Sequence, residues 1–159
     1  AALLATPPDS PEITEIALFD EPLLAALPLN HQFATAKKIA EQSLSKEMLV
    51  LADGHCLASQ ALAACGAKHG TPRSGLQGSM QASTLETLVN LVAAGYGVTL
   101  LPALATDSFR RREIVLRPLA GKSSRTIRLA SRPGFPRPQA LRALEKVTKR
   151  AVTAALTKR

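Results

Sequence analysis

Apolar positions along this chain come in short runs broken by turn formers, with two longer segments at helical spacing. Leu3 and Leu4 read as the tail of a buried strand, and Thr6 to Pro11, with three prolines and an Asp-Ser pair, as a linker. Ile13 to Phe19 alternates imperfectly and predicts a strand. Asp20-Glu21-Pro22 predicts a turn, and Leu23 to Leu27 a second short apolar run ended by Pro28. A loop follows at Asn30 to Phe33, with His31 as a polar surface residue. Residues 36 to 43 predict a short helix with Lys37, Lys38 and Glu41 outward. Met48-Leu49-Val50-Leu51 is a compact apolar run that predicts a buried strand, delivering Gly54, His55 and Cys56 at its carboxyl end, where open α/β sheets place ligand chemistry.

Farther on, Gly66 to Gly78 is a flexible surface connection with His69 facing solvent. Ser83 and Glu86 fit a capping box, ahead of a helix that carries Leu85, Leu88, Val89 and Val92 on one face and stops at Gly95. Val98 to Leu101 predicts a buried strand closed by Pro102, Asp107 to Glu113 a charged loop, and Ile114 to Arg117 a strand ended by Pro118. Arg125 to Ser131 predicts a half-buried strand. Pro138 suits the first turn of a last helix that buries Leu141, Leu144, Val147, Val152 and Ala155. This strand and helix rhythm predicts an α/β sandwich with a largely parallel sheet.

Composition narrows the picture. The 159 residues are 46% hydrophobic but only 3% aromatic, so the core must be built largely from Ala, Leu and Val. Twenty Lys and Arg against twelve Asp and Glu give a net charge of +8, with the basic residues concentrated from Arg110 onward. Readers of single-stranded nucleic acid interleave such charge with aromatics. That pattern is absent, as is a helix-turn-helix signature, and the charge is read as a solvated basic face. No apolar run approaches the roughly 20 residues of a membrane span, and no secretory signal order is present. Two cysteines in that setting favour a reducing cytoplasm, where a disulfide is transient.

The two cysteines, Cys56 and Cys65, are nine residues apart. If the segment between them is helical, as Ala61 to Ala64 suggest, nine steps put their Cα atoms about 13 Å apart. A disulfide needs about 4.4 to 6.8 Å, so a reduced helix and an oxidised loop exclude each other, as a redox switch requires. The other reading of such cysteines is as small buried hydrophobes. His55 beside Cys56 supplies a cation that favours the thiolate. A zinc site from both cysteines with His55 and His69 lacks the close ligand pairs such sites use, so no metal is expected.

Asp53-Gly54-His55-Cys56, the second cysteine nine residues on, Thr84-Leu85-Glu86-Thr87-Leu88, and the block from Val92-Ala93-Ala94-Gly95-Tyr96-Gly97 to Leu104-Ala105 carry a resemblance. Together they resemble the regulatory domains of the peroxide-sensing LysR-type transcription regulators, over nearly the whole chain. The resemblance implies an α/β effector-binding regulatory domain of the periplasmic-binding-protein type, with a complete second subdomain and a partial first. Residues 1–19 would close subdomain I and make the first crossover, 20–124 would form subdomain II with the redox cysteines, and 125–159 would return to subdomain I. It also implies peroxide sensing with Cys56 as the peroxidatic residue and Cys65 as the resolving one, and matches Arg125 to the family arginine that stabilises the thiolate alongside His55.

Further implications are a non-enzymatic, cytoplasmic bacterial activator of oxidative-stress genes with no cofactor. Its partners would be hydrogen peroxide, a glutaredoxin- or thioredoxin-type reductant, a second copy in a homodimer or tetramer, and promoter DNA and RNA polymerase through the full-length protein only, with no membrane. The chain is expected to be a fragment with unpaired sheet edges and exposed apolar surface. An ordinary small-molecule LysR-type effector domain and a thiol peroxidase are the competing functions.

Overall fold

The computed structural model describes residues 1–52, 56–66, 81–109 and 111–157. The chain divides into two compact units, one of residues 1–21 with 124–159 and one of residues 22–123. Ten elements carry them. In chain order these are β1 (Ala2–Leu4), β2 (Thr14–Pro28), β3 (Val50–Leu51), α1 (Cys56–Ala64), β4 (Gln81–Ala82), α2 (Leu85–Ala93), β5 (Thr99–Pro102), β6 (Ile114–Pro118), β7 (Ser124–Ser131) and α3 (Pro138–Thr157). Short 3₁₀ helices span Glu41–Leu44 and Ala103–Phe109. Among the described residues no helix is long and apolar enough to cross a membrane.

β2 is a single 15-residue strand where the pattern predicts two runs and a turn. Proline is tolerated within a strand where its position needs no donor. Pro22 occupies such a place, and the N–H of Leu23 beyond it donates to Ser123 O at 2.9 Å. Read as one strand, the sequence puts Glu21 in phase with Leu23, Ala25 and Leu27, all buried.

In the unit of residues 22–123, β2 is flanked on both sides. Leu23 to Ala26 pair with β5 and Leu24 to Pro28 with β6, both antiparallel. β3 and β4 pair parallel, with Met48 to Val98 and Ile39 to Leu119 as parallel bridges. The sheets are therefore mixed rather than largely parallel, because β2 runs counter to the two strands beside it. All of the main hydrophobic core lies in this unit, built from Leu27, Leu44, Met48, Leu49, Leu88, Val92, Leu100 and Leu101 with their neighbours. The apolar run at Met48 to Leu51 is buried as the sequence predicts. α2 buries Leu88, Val89 and Val92. Its cap is Thr84 rather than Ser83, with the Thr84 hydroxyl accepting from Thr87 N at 3.1 Å.

No helix forms at residues 36 to 43, apart from the 3₁₀ turn that begins at Glu41. Glu41 points inward, not outward: its carboxylate accepts from the Ser123 hydroxyl at 2.8 Å and from Gly121 N at 3.1 Å. A Cβ at 121 would lie 2.6 Å from Glu41 Oε1, so any larger residue there would force that carboxylate to shift. Burial opposes ionisation of Glu41. The Ser123 hydroxyl and the backbone N–H groups of Glu41, Gly121 and Ser123 outweigh it and hold the carboxyl below its ordinary value.

A carboxyl lowered by folding contributes stability that is present above its unfolded value and lost as pH falls through the folded one. The difference in urea midpoint between the native chain and Glu41→Gln should therefore be widest near about pH 7 and close on acidification to about pH 3. A constant difference across that range would show that the charge of Glu41 contributes nothing.

In the other unit the strand order is β1-β7-β2. β1 pairs antiparallel with β7, Ala2 opposite Ala130 and Leu4 opposite Arg128. β1 is present as predicted but not buried, Leu3 being 54% exposed. Ile127 and Leu129 of β7 are buried. α3 has the predicted extent, but its apolar face is not buried: Leu144 is 43% and Val147 64% exposed, and Leu141, Val152 and Ala155 are only half-buried. Three strands offer too little surface to cover a 20-residue helix, and no other described element of this unit covers that face.

Candidate functional site

β3 ends at Leu51, and five residues later Cys56 opens α1 as its first residue. α1 lays Leu57, Ala58, Ala61 and Leu62 into the core against β3. Cys65 follows the last helical residue, and its N–H still donates to Ala61 O at 3.2 Å. Gly66, at φ +68°, then turns the chain out of the helix, a conformation in which glycine carries no Cβ penalty. Cys56 is half-buried and accessible, whereas Cys65 is 2% exposed and belongs to the core.

Both cysteines are free thiols. Nine helical steps separate them by about 13 Å, well beyond disulfide reach. The arrangement is that of a reduced pair: one thiol at the open end of a short helix, the second sealed beneath its other end. Joining them requires the intervening turns to unwind and Cys65 to leave the core.

His55 lies outside the described residues, with Asp53 and Gly54, as does His69. Arg125 stands on β7, and its Nε and Nη2 both reach Glu21 Oε2 at 2.8 Å. Glu21, 1% exposed, was not singled out by the sequence because residues 20 to 22 predict a turn. The signal that finds it is the strand phase shared with Leu23, Ala25 and Leu27.

His31 is another correction. It is not a surface residue, since its side chain is 10% exposed. Its Nε2 lies 3.2 Å from Glu47 Oε2, and its Nδ1 accepts from Phe33 N at 3.2 Å. With Nδ1 accepting, the neutral ring carries its proton on Nε2 and donates it to Glu47. That proton leaves Nε2 no lone pair for a metal, and among the described residues no cluster of three or more ligand-type side chains occurs. An open pocket of about 350 Å³ lies beside this pair, lined also by Asn30, Gln32, Gly95 and Gly97.

A short buried strand, β3, thus precedes a helix that opens on Cys56. The family model of the LysR substrate binding domain matches residues 1–152, and the chain belongs to that family. Within it, the chain is similar to OxyR regulatory domains and to the activators that contain them.

The "Hydrogen peroxide-inducible genes activator" of Dickeya chrysanthemi is 42% identical over 141 residues, covering 85% of this chain and 44% of that protein. The chain thus spans less than half the length of the curated relatives it matches. Among solved structures, the reduced form of the OxyR regulatory domain from Pseudomonas aeruginosa superposes with a TM-score of 0.77 at 34% identity, covering 92% of this chain and 70% of that one. An oxidised form of OxyR gives a TM-score of 0.68 at 38% identity, covering 98% and 71%.

Proposed function

We propose that this chain is the peroxide-sensing regulatory part of a LysR-type transcription activator, switched by a reversible Cys56–Cys65 disulfide. The observation that carries the proposal is the placing of two free thiols at opposite ends of a nine-residue helix, too far apart to bond without refolding it. The relatives that are named for hydrogen peroxide induction support the identity of the signal.

The Cys56 thiolate attacks one oxygen of hydrogen peroxide, the O–O bond breaks, and hydroxide leaves. Cys56 becomes a sulfenic acid. The Cys65 thiol then attacks that sulfur, forming the disulfide and releasing water. His55 and Arg125 stabilise the thiolate. A glutaredoxin- or thioredoxin-type dithiol returns the pair to the reduced state and is itself oxidised. The event is a single stoichiometric oxidation read out by conformation, the work of a regulator and not an enzyme.

Residues 20–124 form subdomain II around the switch, with 1–19 and 125–159 contributing to subdomain I. The regulator works in the bacterial cytoplasm as a homodimer or tetramer and reaches promoter DNA and RNA polymerase through parts of the full-length protein. Treating the reduced chain with excess peroxide should lower its mass by two hydrogens and leave no alkylatable thiol. Two alkylatable thiols after treatment would remove the proposal, and sustained peroxide consumption with a dithiol reductant would favour a thiol peroxidase.

A further inference from the structure

The pocket beside His31 and Glu47 lies wholly within the unit of residues 22–123. Three contacts fix the His31 ring: its own N–H donates to Pro28 O at 3.2 Å, Phe33 N donates to Nδ1 at 3.2 Å, and the ring packs on Phe33 with centroids 5.4 Å apart. Its Nε2–H therefore meets Glu47 Oε2 in a set direction and orients the carboxylate. Glu47 is anchored from behind as well, since Val98 N donates to its carbonyl at 2.9 Å and a Cβ on Gly97 would lie 2.5 Å from that same oxygen. Yet its side chain is 42% exposed, and Oε1 has no partner among the described residues. The exposed residues Asn30 and Gln32 add side-chain amides that bond to no described residue. With His31 neutral, Glu47 carries the only formal charge in the lining, a negative one in a chain of net charge +8. Holding the turn at His31 to residue 47 takes Oε2 alone. It does not account for a second carboxylate oxygen left open beside unpaired amides.

We propose that this pocket binds a small organic cation carrying one primary ammonium group, with Glu47 as its counter-ion. Its volume of about 350 Å³ falls near the lower end of the roughly 300–1,000 Å³ of small-molecule sites, which sets the ligand size. The carboxylate sets the charge. His31 already occupies one lone pair of Oε2, so a guanidinium, which pairs best with both oxygens at once, meets a competitor there. An ammonium is a compact point charge with three donors. Oε1 accepts one of them, and the side-chain carbonyls of Asn30 and Gln32 are the acceptors for the others. The site is separate from the cysteines, and the proposal stands whether or not the chain senses peroxide.

The test is a titration of the reduced chain, followed through its backbone amide signals by nuclear magnetic resonance, with n-butylammonium, butylguanidinium and uncharged 1-butanol as probes. Butylammonium should give saturable shifts at Gln32, Gly95 and Gly97, with a dissociation constant of about 1 mM or below. Butylguanidinium should bind more weakly, and butanol should leave those signals in place. Glu47→Gln keeps the shape and removes the charge, and it should weaken butylammonium binding about tenfold or more. Equal shifts with butanol, native affinity in Glu47→Gln, or no saturation by about 10 mM would each overturn the proposal. Tighter binding of butylguanidinium than of butylammonium would overturn the assignment of ligand class. Should Glu47→Gln fail to fold, the comparison of butylammonium with butanol on the native chain decides alone.

Discussion

Cys56→Ser is expected to leave the chain blind to peroxide, with no sulfenic acid, no disulfide and no change in α1, while its folding stability stays near native. The expectation follows from where the two sulfurs sit. Cys56 is half-buried at the first turn of α1, so a hydroxyl there replaces a thiol without opening the core. Cys65 is enclosed by core residues and cannot meet peroxide before the helix opens. Cys65→Ser should therefore behave differently in two respects. It places a hydroxyl among apolar neighbours, so stability should fall by about 1–3 kcal/mol. It still permits the first step, so a sulfenic acid should accumulate at Cys56 and be trapped by a dione reagent. Intact mass with and without that reagent reads both variants. Peroxide oxidation of Cys65 in the Cys56→Ser protein, with Cys56 dispensable, would reverse the assignment of the two roles.

Leu62→Ala is expected to make the disulfide harder to reduce. Leu62 is buried on the inner face of α1, and loss of such a side chain costs about 2–5 kcal/mol. The reduced state bears that loss in full. In the oxidised state Cys65 has come within disulfide reach of Cys56, the turns that carry Leu62 have unwound, and much of the contact is already gone. Destabilising the reduced state alone moves the potential to more negative values, by roughly 30 mV per 1.4 kcal/mol. The shift should reach roughly 40 to 110 mV if the oxidised loop bears none of the cost. Equilibration with dithiothreitol buffers, read by alkylation and mass, measures it. An unchanged potential with both redox forms equally destabilised would mean that α1 stays wound on oxidation.

The elements least dependent on distant partners were legible. Met48 to Leu51, the Leu88-Val89-Val92 face, Ile114 to Pro118 and the alternation at Ile127 and Leu129 each declare a strand or helix through local spacing alone. So did the α1 segment, where a helical stretch between two cysteines already fixes the separation that makes bonded and unbonded states exclusive. Errors fell where a local signal competed with a tertiary one. Asp20-Glu21-Pro22 carries turn composition, yet pairing on both sides of that point holds it extended. Glu41 and His31 are polar types that usually face solvent. They face inward here because partners wait for them, Ser123 and Gly121 for one, Glu47 for the other.

The sequence by itself determined most of the elements, the apolar runs that make the core of residues 22–123, the two thiols and the family. Tertiary structure alone decided which polar groups are enclosed and which apolar ones are not. Glu21 finds Arg125 across 104 residues of chain and Glu41 finds Ser123 across 82, distances over which no periodicity carries information. The exposed face of α3 follows the same logic in reverse, since helical spacing can mark Leu144 and Val147 for burial but only a neighbouring surface can bury them.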